Sequence, residues 1–186
     1  MRKFAIFCLI ILVATVIAAI YGVGHDQVTY SISPEYYTKF KFIQFNLADS
    51  AAAQHMTQPR SAVVMTGVKG TWWMGVLIGV VLGLVGFIFR DADTMFSSVL
   101  QALWLVLLVV IIAGVVGGLY GSHVLAGKGV SWWMPGDLKD RRAYIEVGSI
   151  HNFSYVGGAV GVLAGVIFLI VRNSRLRKRA AEVNES

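Results

Sequence analysis

The chain has 186 residues, 56% hydrophobic and only 14% charged, with a formal net charge of +6 and a mean hydropathy of +0.69. A water-soluble domain of that size and composition would expose wide apolar patches, so the soluble class is excluded and a bilayer is the expected solvent. A single cysteine, Cys8, excludes an internal disulfide or a thiolate metal cluster, and a buried apolar thiol is its expected role.

Runs free of Asp, Glu, Lys and Arg occur at Phe4 to Tyr21, Thr71 to Phe89, Met95 to Ser122 and Asn152 to Val171. Each meets the roughly 18 residues needed to cross a hydrocarbon core of about 30 Å. With no alternating ten-residue segments to build a barrel, the expected fold is an all-α integral membrane protein. It forms one domain over 1–186, with four transmembrane helices at about 4–22, 71–89, 95–121 and 152–171. The first run follows Met1-Arg2-Lys3 and also resembles a secretory signal, with Val16-Ile17-Ala18 as a tolerable cleavage site. Its apolar core exceeds the roughly 7 to 15 residues of such a signal, so it reads as an uncleaved anchor.

The outer segment 23–70 follows. Ser33, Pro34 and Glu35 have the residue types of a helix N-cap and first turn, so a short helix is expected to start there. Tyr36, Phe40, Ile43 and Leu47 share one face of it, which predicts an amphipathic helix at the membrane interface or over the bundle mouth. Val28, Tyr30 and Ile32 alternate and carry a weak strand signal. The second outer segment, 122–151, holds the turn Pro135-Gly136, after which Asp137 is expected to cap a helix running into the fourth span. Trp72, Trp73, Trp132 and Trp133 stand where an interfacial aromatic belt is expected.

Basic residues immediately beside the spans set the orientation. Arg2 and Lys3 precede the first, Arg90 follows the second, and Arg172, Arg175, Arg177, Lys178 and Arg179 follow the fourth. That side is expected to be cytoplasmic, with both termini inside an inner membrane of bacterial type. The basic tail, 172–186, would hold anionic headgroups at about 1 kcal/mol per basic residue, which accounts for the run without nucleic acid.

An internal repeat is also legible. Laying Arg60 to Arg90 on Arg142 to Arg172 without a gap superposes the terminal arginines and places Gly75, Gly79 and Gly83 on Gly157, Gly161 and Gly165. One helix earlier, Tyr21-Gly22 before His25 matches Tyr120-Gly121 before His123. The pattern predicts duplicated helical hairpins related by a pseudo-twofold axis, with the glycine ridges facing protein or forming a seam in a homo-oligomer or larger membrane complex.

Three of the four histidines then collect on the outer side. His25, His123 and His151, with Glu35 from the cap helix, are the candidate metal ligands, suited to a transition metal, and two opposed imidazoles suit a haem. His55 lies apart in a polar loop. No nucleophile motif, phosphate-binding glycine loop or intramembrane carboxylate pair is present, so no catalytic residue is assigned. The expected role is therefore non-enzymatic, a structural, assembly or accessory membrane protein, and the alternative is a small metal- or haem-binding redox protein.

Overall fold

The computed structural model describes residues 1–49, 52–53, 55–57 and 59–185, the side chains of 183–185 excepted. Four long helices carry the chain: α1 (Arg2–Ile32), α2 (Pro59–Gly86), α3 (Ala92–Tyr120) and α4 (Arg141–Glu185). All four are long and apolar enough to cross a membrane. Their outward faces carry a continuous apolar coat, including Leu12, Ile20, Leu77, Leu108, Val115 and Leu163, each more than half exposed. Such a coat matches the hydrocarbon of a bilayer, where only the backbone needs internal pairing.

The packing follows the small residues. α1 lies against α2 and α3 against α4, with looser contact between the two pairs. A Cβ placed on Gly67 would come within 2.6 Å of the Gly22 carbonyl oxygen, and one on Gly75 within 2.6 Å of the Thr15 Cα. In the second pair, a Cβ on Gly157 would meet that of Ala113 at 2.5 Å, and one on Gly161 the Val106 Cα at 3.1 Å. The glycines let the helix axes approach to backbone contact, so dispersion holds the pairs without a hydrophobic drive. Ile10, Leu82, Met95, Val99, Val106 and Leu169 fill the space between the pairs.

One end of the bundle is basic. Asp91 caps α3 by accepting the Thr94 N–H at 2.8 Å, and Asp93 in its first turn pairs with Arg2 at 2.9 Å. Lys3 donates to the Phe89 carbonyl, and Arg172 donates to Ser98 at 2.8 Å and Gln101 at 3.1 Å. The N-terminal residues, the α2–α3 connection and the tail after Arg172 thus share one end.

At the other end the structure departs from several sequence expectations. The first helix does not stop near residue 22 but continues to Ile32, so the alternation at Val28, Tyr30 and Ile32 is helical, not extended. α2 likewise starts at Pro59, twelve residues before the expected span. The two extensions brace one another: Arg60 donates to the Gln27 side chain at 2.8 Å and lies over the Tyr30 ring at 5.3 Å. Tertiary support therefore extends both helices past their apolar runs.

The cap helix starts as expected, with Ser33 accepting the Tyr36 N–H at 3.3 Å. It then widens into a π-type turn, Tyr37–Lys41, closed by the Phe42 N–H on the Tyr37 carbonyl. The wider turn shifts the register, so Tyr37 and Phe42 are fully buried while Ile43 is turned outward. Asn46, at φ 52, ends the cap, with bonds from Leu47 N–H to the Phe42 carbonyl (2.8 Å) and from Asn46 N–H to the Ile43 carbonyl (3.1 Å). That pair of bonds is the Schellman pattern, and it satisfies the last carbonyls of the cap. Asp140, not Asp137, caps α4 by accepting the Ala143 N–H at 2.9 Å. Asp137 instead pairs with Lys39 at 3.0 Å. Cys8 is exposed on α1, not buried.

A close approach this tight predicts an asymmetric response to substitution. Gly67→Val is expected to destabilise the fold by roughly 1–3 kcal/mol or more, because its side chain meets backbone that cannot yield. Gly24→Ala, where a Cβ meets nothing within 4 Å, should shift stability by less than about 1 kcal/mol. Unfolding in a graded mixture of denaturing and mild detergent measures both; equal midpoints would show that the Gly22–Gly67 contact does not hold the pair together.

Candidate functional site

The continuation of α1 past residue 22 places two polar side chains inside the bundle. His25 lies about 22 residues, or roughly 33 Å, along the helix from Lys3, at the far edge of a hydrocarbon-thick layer. Asp26 follows it and is only 6% exposed. One turn on, the Thr29 hydroxyl donates to the His25 carbonyl at 2.9 Å and accepts the Tyr37 hydroxyl hydrogen at 2.6 Å. α4 contributes His151, 5% exposed, and Ser154.

These groups converge on one carboxylate oxygen. Asp26 Oδ1 lies 3.1 Å from His25 Nδ1 and 3.3 Å from His151 Nε2. His151 Nδ1 lies 2.9 Å from the Val147 carbonyl oxygen. A carbonyl only accepts, so Nδ1 carries the hydrogen. A neutral His151 therefore presents the lone pair of Nε2 to an acceptor oxygen, and attraction requires a second proton or a cation between them. The ring is held edge-on to His25 at a centroid distance of 4.7 Å and stacked on Tyr36 at 5.1 Å.

His25, Asp26 and His151 can hold a metal ion, their ligand atoms all lying within 4.8 Å of one another. Donor atoms about 2.0–2.1 Å from a tetrahedral ion are about 3.3–3.4 Å apart, close to the two separations at Asp26. Orienting a ligating imidazole by a bond from its other nitrogen to a backbone carbonyl is the usual outer support of such sites. A haem held between the two histidines does not fit. Metal–nitrogen bonds of about 2 Å on opposite faces would put the ring centroids about 6 Å apart, and here they are 4.7 Å apart.

The remaining sequence candidates lie elsewhere. His123 is exposed on a π-type turn, Gly121–Leu125, after α3, and His55 is exposed as well. Glu35 is a structural tether: its carboxylate accepts the Lys139 and Asp140 N–H groups at 2.9 Å each and pairs with Lys39 at 2.9 Å. Burial alone would raise its pKa, but these donors outweigh it and hold the carboxyl below the ordinary range. Asp26 is the residue that sequence reasoning missed. Its signal was present, as the only acidic residue within α1, but ending the span near residue 22 placed it in a loop.

Below these three side chains a cavity of about 100 Å³ runs between the helix pairs. Ala14, Ile78 and Leu107 line its apolar part, and His25, Asp26, His151 and Lys41 its polar end. Thr66 and Thr71 also face it, but their hydroxyls donate to the Ala62 and Gly67 carbonyls at 2.9 and 2.7 Å. Lys41, on the cap, is 5% exposed. Its ammonium lies 5.5 Å from the Phe45 ring centroid and 6.0 Å from that of Tyr36. Burial lowers its pKa, with partial restoration by the field of Asp26. Chemically, the arrangement offers a metal seat, or a proton-sharing carboxylate and imidazoles, at the head of an apolar chamber.

No protein-family model, curated protein or solved structure matches the chain.

The Glu35 tether carries its own pH dependence. Because its folded pKa is lowered, the tether stabilises the docked cap above the ordinary carboxyl value of about 4.3 and is lost as pH falls through the lower folded value. Protection factors of the amides in Tyr36 to Lys41, taken relative to the intrinsic exchange rate at each pH, should therefore fall on acidification, and Glu35→Gln should show the lower protection already at neutral pH. Identical protection in Glu35→Gln and the parent would remove Glu35 as the tether.

Proposed function

We propose that this chain is a multi-pass membrane protein that binds a divalent transition metal through His25, Asp26 and His151. The observation that carries the reading is the facing of His151 Nε2 onto the Asp26 carboxylate while Nδ1 is committed to Val147. A cation between the two removes the conflict of lone pairs. Two imidazoles and a carboxylate suit zinc or ferrous iron, and three protein ligands leave a position open toward the cavity, as in reactive rather than closed structural sites.

The test is metal binding by the detergent-purified protein. It should take up about one equivalent of Zn²⁺ or Co²⁺ per chain, with affinity falling tenfold or more in His151→Ala and Asp26→Asn and unchanged in His123→Ala. Absence of binding by the parent would refute the proposal. It would favour the second reading, a non-enzymatic structural or assembly role in which the histidines and Asp26 form an ion pair joining α1 to α4. The observation favouring that reading is that, among the described residues, every fully buried side-chain nitrogen and oxygen has a partner without an added ion.

The orientation and the duplication belong to the same proposal. The basic end, with Arg2, Lys3, Arg90 and Arg172, is read as cytoplasmic in an inner membrane, so the metal site faces outward. Matching contacts support duplicated hairpins: Gly75 meets the Thr15 Cα, Ala14 carbonyl oxygen and Ala18 Cβ as Gly157 meets the Val110 Cα, Val109 carbonyl oxygen and Ala113 Cβ, and Gly79 meets the Ile11 Cα as Gly161 meets the Val106 Cα. These partners keep one offset between α1 and α3 and another between α2 and α4, a register that sets His25 against Tyr120 and not His123. In a Cys8→Ser background, a cysteine at Lys139 should be labelled from outside intact cells and one at Arg90, which is exposed, should be labelled only after permeabilisation. Labelling at position 90 from outside would invert the topology.

A further inference from the structure

We propose that the cavity binds a single-chain amphiphile with an anionic head, its head oxygen paired with the Lys41 ammonium and its chain lying along the apolar wall between the helix pairs. Lys41 is 5% exposed, and its ammonium opens onto the cavity instead of being sealed in protein; among the described residues it makes no hydrogen bond and no ion pair. Asp26, the nearest buried acid in the wall, is engaged by His25 and His151. Burial strips hydration from the ammonium, and the field of Asp26, itself engaged by the two histidines, restores only part of that loss, so an anion placed against Lys41 completes the compensation. The chamber leading away from it is apolar, because the threonine hydroxyls in its wall are spent on their own helix carbonyls. Free inorganic anions match the ammonium but not that wall, and a neutral lipid matches the wall but not the ammonium.

The shape allows a chain to enter sideways. Tyr155 lines the cavity and is also 44% exposed, so the chamber reaches the lateral surface where α4 faces Met74 and Ile78 of α2. At Gly158 the seam is narrow, for a Cβ there would meet the Met74 methyl in ordinary contact at 3.7 Å, and the flexible Met74 side chain is what an entering chain displaces. A volume of about 100 Å³ takes a head and its first carbons, and the rest of the chain continues out through the seam.

The experiment uses the full chain in phosphatidylcholine nanodiscs with a palmitate analogue bearing a photoreactive diazirine. Labelling should be saturable, map to the α2–α4 seam, and be competed by palmitate but not by hexadecanol or inorganic phosphate. It should fall at least tenfold in Lys41→Gln and persist in Lys41→Arg. Equal labelling of Lys41→Gln and the parent, or equal competition by hexadecanol, would overturn the proposal. Should Lys41→Gln fail to fold, Ile78→Trp fills the wall while keeping the ammonium, and undiminished labelling of that variant would be equally decisive. This inference does not rest on the metal. Labelling that vanishes after treatment with EDTA would overturn it and leave the metal site standing, whereas labelling retained in a protein that binds no zinc would leave it standing alone.

Discussion

A single buried carboxylate organises the cap end of this protein. Asp26 belongs to α1 and His151 to α4, helices from different pairs. The Arg2–Asp93 pair joins the two pairs at the exposed basic end, whereas the Asp26–His151 contact at 3.3 Å is a buried polar link between them. A charge placed there is costly unless paired, so the surroundings have to supply partners. They do so from three directions: His25 from the neighbouring position, His151 from across the bundle, and the Tyr36 ring stacked over the imidazole from above. Breaking one partner would leave the others buried and unsatisfied, which makes this cluster less tolerant than any part of the lipid-like coat.

The cap is what separates this cluster from solvent. Its buried face, Tyr36, Tyr37 and Phe42, packs on Tyr144 and Val147 of α4 and on Val63 of α2. Burial raises the pKa of Tyr36 and Tyr37, so both remain phenols, and the Tyr37 hydroxyl shares its hydrogen with Thr29. The π-type turn is the device that makes this possible. Adding a residue to the turn rotates Tyr37 and Lys41 inward together, and the same rotation leaves Ile43 outside. An apolar face and a buried cation thus come from one local distortion.

Elsewhere, stability comes from closeness rather than from polarity. Within each helix pair, glycines admit the opposing backbone to distances that no Cβ would allow. Between the pairs, larger side chains meet less intimately, and the cavity lies there. A bundle built as two tight pairs with a loose seam keeps its close packing in the pairs and its cavity in the seam.

The sequence by itself determined the four long apolar helices, because charge-free runs of that length have few other uses, and it determined the basic end and the small-residue faces. It also placed His25 and His151 at the end of the spans opposite the basic residues and marked the cap as a helix beginning at Ser33. Only the tertiary structure decided where the helices end. Contacts such as Gln27 with Arg60 carry α1 and α2 beyond their apolar runs, and hydropathy does not register them. That extension turned Asp26 from a loop residue into a buried carboxylate facing two histidines. The wide turn brought Lys41 to the cavity, while His123 and Glu35 went to the surface and to a backbone tether. Periodicity reports which residues prefer burial; which polar groups meet depends on distances across elements far apart in the chain, and those are set by how closely the helices pack.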